Sequence, residues 1–252
     1  VRDRQECLSY FQKILTTDSE LTAIVLCGGK GERLKPFTDT LPKALVSLNG
    51  EPLLLHLLNY LAAAGIRRFV ICVGYKAEAI EHFLSERQDP AWEIVLVDSG
   101  DASMTDRLLD AQVHLHGPAL ICYGDTLANV DLPALRKAHR ASGALMTMTV
   151  YPLHSPFGIV SFEPTRRVKD FAEKPRLPYW INIGFMLAEP RVFSYLKRGS
   201  EMPAFLSNLA EAGAVYAFQH EGRHVTVNTE KDRALAETEI VEFFTLMDEQ
   251  II

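Results

Sequence analysis

Basic excess is missing from this chain of 252 residues: 26 lysines and arginines stand against 32 acids, for a formal charge of −6. A surface built to neutralise a nucleic-acid backbone is therefore not expected, although a local basic pocket for a small anion remains compatible with that balance. Long apolar runs are missing too. None approaches the roughly 20 residues of a membrane-spanning helix. The opening Val-Arg-Asp-Arg-Gln-Glu carries neither the basic nor the apolar region of a signal peptide. No nucleic-acid or membrane partner follows, and the expected location is cytoplasmic. Cysteine is scarce: Cys7, Cys27, Cys72 and Cys122 lie too far apart for a CxxC metal knuckle or a small disulfide scaffold. Three of the four sit inside apolar runs, where a free thiol behaves as a small core residue. The eight histidines show no HExxH spacing, and His56, flanked by leucines, reads as structural. There is no repeat, low-complexity tract or long linker.

What is present is an alternation. From Leu21 onward, short β-branched or apolar runs exchange with longer helix-like segments, the pattern of an α/β fold with a largely parallel sheet. Strands are expected over Thr22–Cys27, Arg68–Val73, Glu93–Val97, Ala119–Tyr123, Ala144–Val150, Gly158–Phe162, Asn182–Leu187 and Val215–His220. Helices are expected over Pro52–Ala64, Lys76–Glu86 and Leu132–Ala141. Residues 1–20 read as an amphipathic helical extension, with Cys7, Leu8, Phe11 and Leu15 on one face, preceding a single domain over residues 21–252.

The densest chemical signal follows the first strand: Leu26-Cys27-Gly28-Gly29-Lys30-Gly31-Glu32-Arg33-Leu34, then Pro42-Lys43. Three glycines in four positions let the backbone approach an anion and turn N–H groups toward phosphate oxygens. Arg33 and Lys43 add full positive charges, a combination suited to a triphosphate. A P-loop fails on spacing, because no Gly-Lys-Ser/Thr follows at the required interval. A dinucleotide fingerprint fails as well: Gly29-Lys30-Gly31-Glu32-Arg33-Leu34 lacks its third glycine, and Glu51, about 20 residues on, lies in a turn rather than at a strand end. Gly124-Asp125, at the end of the run Ala119–Tyr123, puts a carboxylate at the carboxyl edge of a strand, where open α/β sheets bind ligands. Taken alone, Asp125 also reads as a helix cap or turn acid.

Gly-Gly-x-Gly-x-Arg-Leu, Pro42-Lys43 and then Asn49-Gly50-Glu51-Pro52-Leu53 resemble the sugar-1-phosphate nucleotidyltransferase family over most of residues 22–236. The resemblance implies a Rossmann-like nucleotidyltransferase fold, with a mixed, mainly parallel sheet flanked by helices. It implies a nucleotide-binding set of Leu26, Gly28, Gly29, Gly31, Glu32, Arg33, Lys43, Ser103, Thr105 and Gly124. Mg²⁺ is then assigned to Asp125 and to Asn228, where Thr226 stands in place of the family's preceding acid. Glu173 and Lys174 match the family's Glu-Lys-Pro segment, the glutamate as acceptor for sugar hydroxyls and the lysine for the sugar phosphate. Asn182 and Gly184 match the segment lining the sugar pocket. Arg33, Lys43, Asp125 and Lys174 form the catalytic set.

Within the family, the segments Val97–Gly100, Ser103–Leu108 and Tyr123–Asp125 are most similar to glucose-1-phosphate cytidylyltransferases. Asp98, Ser103, Thr105 and Arg107 either contact base or sugar or build a polar loop. The partners implied are a nucleoside triphosphate, CTP favoured, and a sugar 1-phosphate, with a homo-oligomer expected. Two alternatives stay open. One is the same chemistry with another nucleotide, or on heptose 1-phosphate, phosphocholine or a phosphonate. The other is a catalytically silent nucleotide-sensing module.

Overall fold

The computed structural model describes residues 21–87 and 89–239; the helix expected over 1–20 lies outside the described residues. Strand β1 (Thr22–Leu26) is buried along its whole length. A strand without polar alternation has to be covered on both faces. Ala23 and Val25 pack into one apolar cluster, and Ile24 and Leu26 into a second across the sheet. After β1 come helix α1 (Leu53–Ala63), β2 (Arg68–Val73), α2 (Ala77–Arg87), β3 (Glu93–Asp98), α3 (Met104–Ala111) and β4 (Ala119–Tyr123). Helix α1 presents Leu54, Leu57, Leu58 and Leu61 to the first cluster, where α2 adds Ile80 and Leu84. Each fully buried leucine contributes roughly 2 kcal/mol of gross stabilisation. Helix α3 covers the other face with Leu108 and Ala111.

The later elements include β5 (Thr126–Ala128), α4 (Leu132–Ser142), β6 (Met146–His154), the hairpin of β7 (Ile159–Phe162) and β8 (Val168–Ala172), β9 (Arg176–Asn182), β10 (Met186–Ala188), α5 (Met202–Glu211), β11 (Val215–Gln219) and β12 (His224–Thr226). The main sheet runs β9–β6–β10–β4–β1–β2–β3, with β11 also paired to β6. Strands β1, β2, β3 and β4 are mutually parallel, β11 is parallel to β6, and β10 and β9 run antiparallel to their neighbours. The expected mixed, mainly parallel sheet flanked by helices is present. The chain leaves β1 toward β2 and β3 on one side and returns to β4 on the other, so the order reverses between β1 and β4. In an open sheet the crevice for a ligand lies at such a reversal, outside the carboxyl ends of the strands.

Two expectations about elements need correction. The run Asn182–Leu187 is not one strand: β9 ends at Asn182, whose side-chain oxygen accepts the Gly184 N–H at 2.9 Å in a tight turn, Phe185 takes φ 47°, and β10 starts at Met186 on the other side of β6, between β6 and β4. The segment after Asp98 is not only loop. Ser103 caps the eight-residue helix α3 by accepting from Asp106 N–H, and a helix of two turns leaves little periodicity to read. Among the described residues no helix is long and apolar enough to cross a membrane. Cys27, Cys72 and Cys122 are buried free thiols, and burial pushes the Cys72 thiol up to about 12.

Candidate active site

At the end of β1 the chain is still tied to both neighbours, Cys27 N–H donating to Cys72 at 2.8 Å and the Leu26 carbonyl accepting from Gly124 at 3.0 Å. It then turns away from the sheet at Gly28. A side chain cannot stand there, because a Cβ would collide with the guanidinium of Arg107. Arg107 is 4% exposed and donates to three carbonyls: Val73 at the end of β2, Gly28 at 3.2 Å and Gly100 at 2.8 Å after β3. One buried cation thus pins three loops around the sheet edge. Gly31 adopts φ 62°, a left-handed conformation that glycine takes at little cost, and its carbonyl accepts from Leu34 N–H and the Thr38 hydroxyl. The loop therefore arches over the sheet edge and bounds a cavity of about 550 Å³.

Charged and polar side chains gather at the same cavity. The Lys43 ammonium donates to Asp125 Oδ2 at 2.6 Å and to Asn228 Oδ1 at 2.9 Å, and Arg33 donates to the same Asn228 oxygen at 2.9 Å. Asn228 is 103 positions from Asp125, yet the ladder of β12 on β5 sets Thr226 opposite Thr126 and continues with Val227 N–H bonded to the Asp125 carbonyl. Its backbone is held from the other side by Asp232. That carboxylate accepts from the N–H groups of Asn228 and Thr229, while Asp232 N–H donates back to the Thr229 hydroxyl, a reciprocal cap at the start of the helix over 230–239.

Thr226, standing where the resemblance leads one to expect an acid, joins a polar chain instead. Its hydroxyl lies 3.0 Å from His224 Nε2 and 3.4 Å from the Thr126 hydroxyl, which donates to Asp125 Oδ1 at 3.1 Å. The His224 ring also lies against Tyr151, 4.9 Å between ring centroids and tilted by 46°. Burial, together with the neighbouring His220, pushes the His224 imidazole down to about 4, Asp125 opposing the shift only in part. The folded state then keeps His224 neutral, while the unfolded chain takes up a proton below the ordinary value of about 6.5. Stability is therefore full above about pH 6.5 and lost as pH falls toward 4, by roughly 1–2 kcal/mol at pH 5. Melting temperatures measured from pH 7 to 5 should fall more steeply in the wild type than in His224→Gln. Equal slopes would remove this histidine from the acid response.

Of the residues expected at the nucleotide, Leu26, Gly28, Gly29, Gly31, Glu32, Arg33, Lys43 and Gly124 border the cavity, as do Asp125 and Asn228, expected at the metal. Ser103 and Thr105 do not. Thr105 is completely buried, its hydroxyl donating to the Ser200 carbonyl and sharing a 2.8 Å hydrogen bond with Ser103, which is itself the cap of α3. Asp98 accepts from Gly100 N–H at 2.8 Å. Asp98, Ser103 and Thr105 build the loop and the helix start, so the two hydroxyls leave the nucleotide set. Glu173 and Lys174 are exposed, in the turn between β8 and β9, and do not border the cavity. Asn182 sits one hydrogen bond behind it, donating at 3.0 Å to the Tyr123 hydroxyl, and Gly184 packs close behind the same ring. Tyr123 itself borders the cavity, as do Lys30 and Asp101, which form a 2.8 Å ion pair. Sequence reasoning missed this pair, because 71 positions separate the two and neither type is unusual in a loop.

The donors fit a hard divalent cation: one carboxylate oxygen and one amide oxygen converge on a common point, now taken by the Lys43 ammonium. Among the described residues no group of three or more His, Cys, Asp or Glu is arranged to hold a metal. A cation at this point would take its other ligands from water and substrate oxygens, the usual habit of Mg²⁺ at phosphate sites.

A doubly wound α/β sheet with a cavity at its order reversal, walled by a glycine loop and basic side chains, is the arrangement of a nucleotide-binding α/β protein. The model of the nucleotidyl transferase family matches residues 22–244. The chain belongs to that family. It is 32% identical over 237 residues to a protein of Bacillus subtilis (strain 168) described as a probable glucose-1-phosphate cytidylyltransferase, covering 84% of this chain and 93% of that one. It is 30% identical over 247 residues to the glucose-1-phosphate cytidylyltransferase of Salmonella typhi, covering 86% and 95%. The crystal structure of HddC from Yersinia pseudotuberculosis shares the fold, with a TM-score of 0.70 at 19% identity over 87% of this chain and 99% of that one. The resemblance read from the sequence is borne out at the level of the sugar-1-phosphate nucleotidyltransferase family and of an enzyme of that kind.

Proposed function

We propose that this enzyme transfers a nucleotidyl group from CTP to glucose 1-phosphate, releasing pyrophosphate and forming a nucleotide-activated sugar. The observation that carries the reading is the convergence of Arg33, Lys43, Asp125 and Asn228 on one point facing the glycine loop. CTP and glucose are favoured by two relatives, about 30% identical, that carry the name glucose-1-phosphate cytidylyltransferase.

The reaction is an in-line displacement. A phosphate oxygen of the sugar 1-phosphate forms a bond to the α-phosphorus, the bond from that phosphorus to the β-bridging oxygen breaks, and pyrophosphate carries the electron pair away. No protein nucleophile is required. The chain's work is positioning and charge stabilisation. N–H groups of the glycine loop, with Arg33 and Lys43, receive the triphosphate. Lys174 aims the acceptor phosphate, Glu173 accepts from sugar hydroxyls, and Asn182 holds the Tyr123 ring at the cavity wall. Asp125 and Asn228 would hold Mg²⁺, whose charge would neutralise the developing negative charge on the reacting phosphate.

A second reading keeps the chemistry and changes the acceptor. It is favoured by the exposure of Glu173 and Lys174, which leaves the acceptor side open to a different phosphorylated molecule. The test is pyrophosphate release with Mg²⁺, pairing CTP, UTP, dTTP, GTP and ATP with glucose 1-phosphate, heptose 1-phosphate, phosphocholine and a phosphonate. Release highest with CTP and glucose 1-phosphate is the expected result. Release with another pair alone would retain the mechanism and replace the substrates, and silence across the panel would overturn the catalytic reading.

A further inference from the structure

We infer that Lys43 is a stand-in cation: in the nucleotide-free enzyme its ammonium occupies the position a divalent metal needs, so the metal enters only as the triphosphate draws Lys43 away. The inference rests on the reading of Asp125 and Asn228 as metal ligands. Asp125 Oδ2 and Asn228 Oδ1 both point at the Lys43 Nζ, at 2.6 and 2.9 Å, and Asn228 Oδ1 accepts from Arg33 as well. The second Asp125 oxygen accepts from Thr126. Both candidate ligand oxygens are thus already bonded to cations. Mg²⁺ would need to sit about 2.1 Å from each of them, closer than the ammonium does. Two cations cannot share that point, so metal entry requires Lys43 to leave and Arg33 to loosen.

The local structure allows the exchange. Lys43 opens the single turn Lys43–Leu45, whose backbone is held by Leu45 N–H to Pro42 and Val46 N–H to Lys43, while the charge rides on a flexible four-carbon stem. Its side chain is 14% exposed and faces the cavity where the phosphates would lie. Anionic oxygens arriving there offer Lys43 and Arg33 new partners and release the two ligand oxygens. Without a nucleotide, the metal has to break those hydrogen bonds and strand both cations. Nucleotide and metal therefore favour each other's binding through one lysine, and by linkage the effect is reciprocal.

The test is Mn²⁺ binding to the full chain without nucleotide, read from the electron paramagnetic resonance signal of free Mn²⁺, with circular dichroism to verify the fold of each variant. The wild type should bind with a dissociation constant of the order of millimolar or weaker. Lys43→Met should bind at least tenfold more tightly, Lys43→Arg, which keeps the cation, should stay weak, and adding Asp125→Asn to Lys43→Met should abolish the gain. Two results would overturn the exchange. One is micromolar Mn²⁺ binding to the nucleotide-free wild type; the other is a folded Lys43→Met that binds no more tightly while Mn²⁺ still enters an Asp125-dependent complex with a non-hydrolysable CTP analogue. Absence of Mn²⁺ from that ternary complex would overturn the metal assignment itself, and the exchange with it.

Discussion

Turnover in Arg33→Ala and in Lys43→Met should fall by about 10²- to 10³-fold, the loss that follows removal of one preorganised donor from a site where charge develops. Both side chains reach the same Asn228 oxygen, and Lys43 also reaches Asp125, so under the proposed mechanism each would serve the phosphates and the ligand oxygens together. The fall should appear chiefly in kcat, with a smaller rise in KM for the nucleotide, if the contacts strengthen as the bond to pyrophosphate breaks. Steady-state pyrophosphate release, with folding verified by circular dichroism, measures it. For Lys43→Met the contrast is sharp: metal affinity rises while turnover drops. An Arg33→Ala enzyme with an unchanged kcat would remove Arg33 from the catalytic set.

Arg107→Met should cost about 2 kcal/mol or more in stability and most of the activity. The guanidinium is buried among the carbonyls of Val73, Gly28 and Gly100, and methionine fills part of its volume while donating nothing. A carbonyl left buried without a donor costs roughly 1–3 kcal/mol; Gly28 keeps the Tyr75 N–H at 3.3 Å and Gly100 is exposed, so that cost falls chiefly on Val73, with the lost packing of a buried side chain added to it. Because the three belong to three separate loops, the glycine loop should lose its arch as well. Urea unfolding gives the stability change through a lower midpoint at similar slope, and nucleotide titration reports the loop. A loss below about 1 kcal/mol would mean that water replaces the guanidinium and that the arch rests on the backbone alone.

The buried strands were legible because their burial is written locally. Arg68–Val73 and Ala119–Tyr123 coincide with the expected runs, as continuous apolar segments covered on both faces do. The glycine loop was legible for a related reason: Gly28 and Gly31 answer to the backbone itself, one to a close approach and one to a left-handed φ. Strand β8 was not legible, because Val168 to Phe171 are all exposed and no in–out alternation marks them. Ser103 and Thr105 were misplaced since a hydroxyl next to a glycine loop can face a ligand, a helix start or a distant carbonyl. Thr105 found the last of these at Ser200, 95 positions away.

By itself the sequence determined the α/β class, the covered strands and the loop that arches at Gly28–Gly31, and it singled out Arg33, Lys43, Asp125 and Asn228, which the structure brings together. Only the tertiary structure decided how these charges pair, that Arg107 is a strut among carbonyls, that Thr226 continues a polar chain to His224, and that Lys43 bridges Asp125 and Asn228. The division has a physical cause. Hydrophobic period and backbone conformation are properties of neighbouring residues, read along the chain. The partner of a buried charge is whichever donor or acceptor the fold delivers to hydrogen-bond distance, and here the segments after strands β1, β4 and β12 deliver it from positions 82 to 195 residues apart.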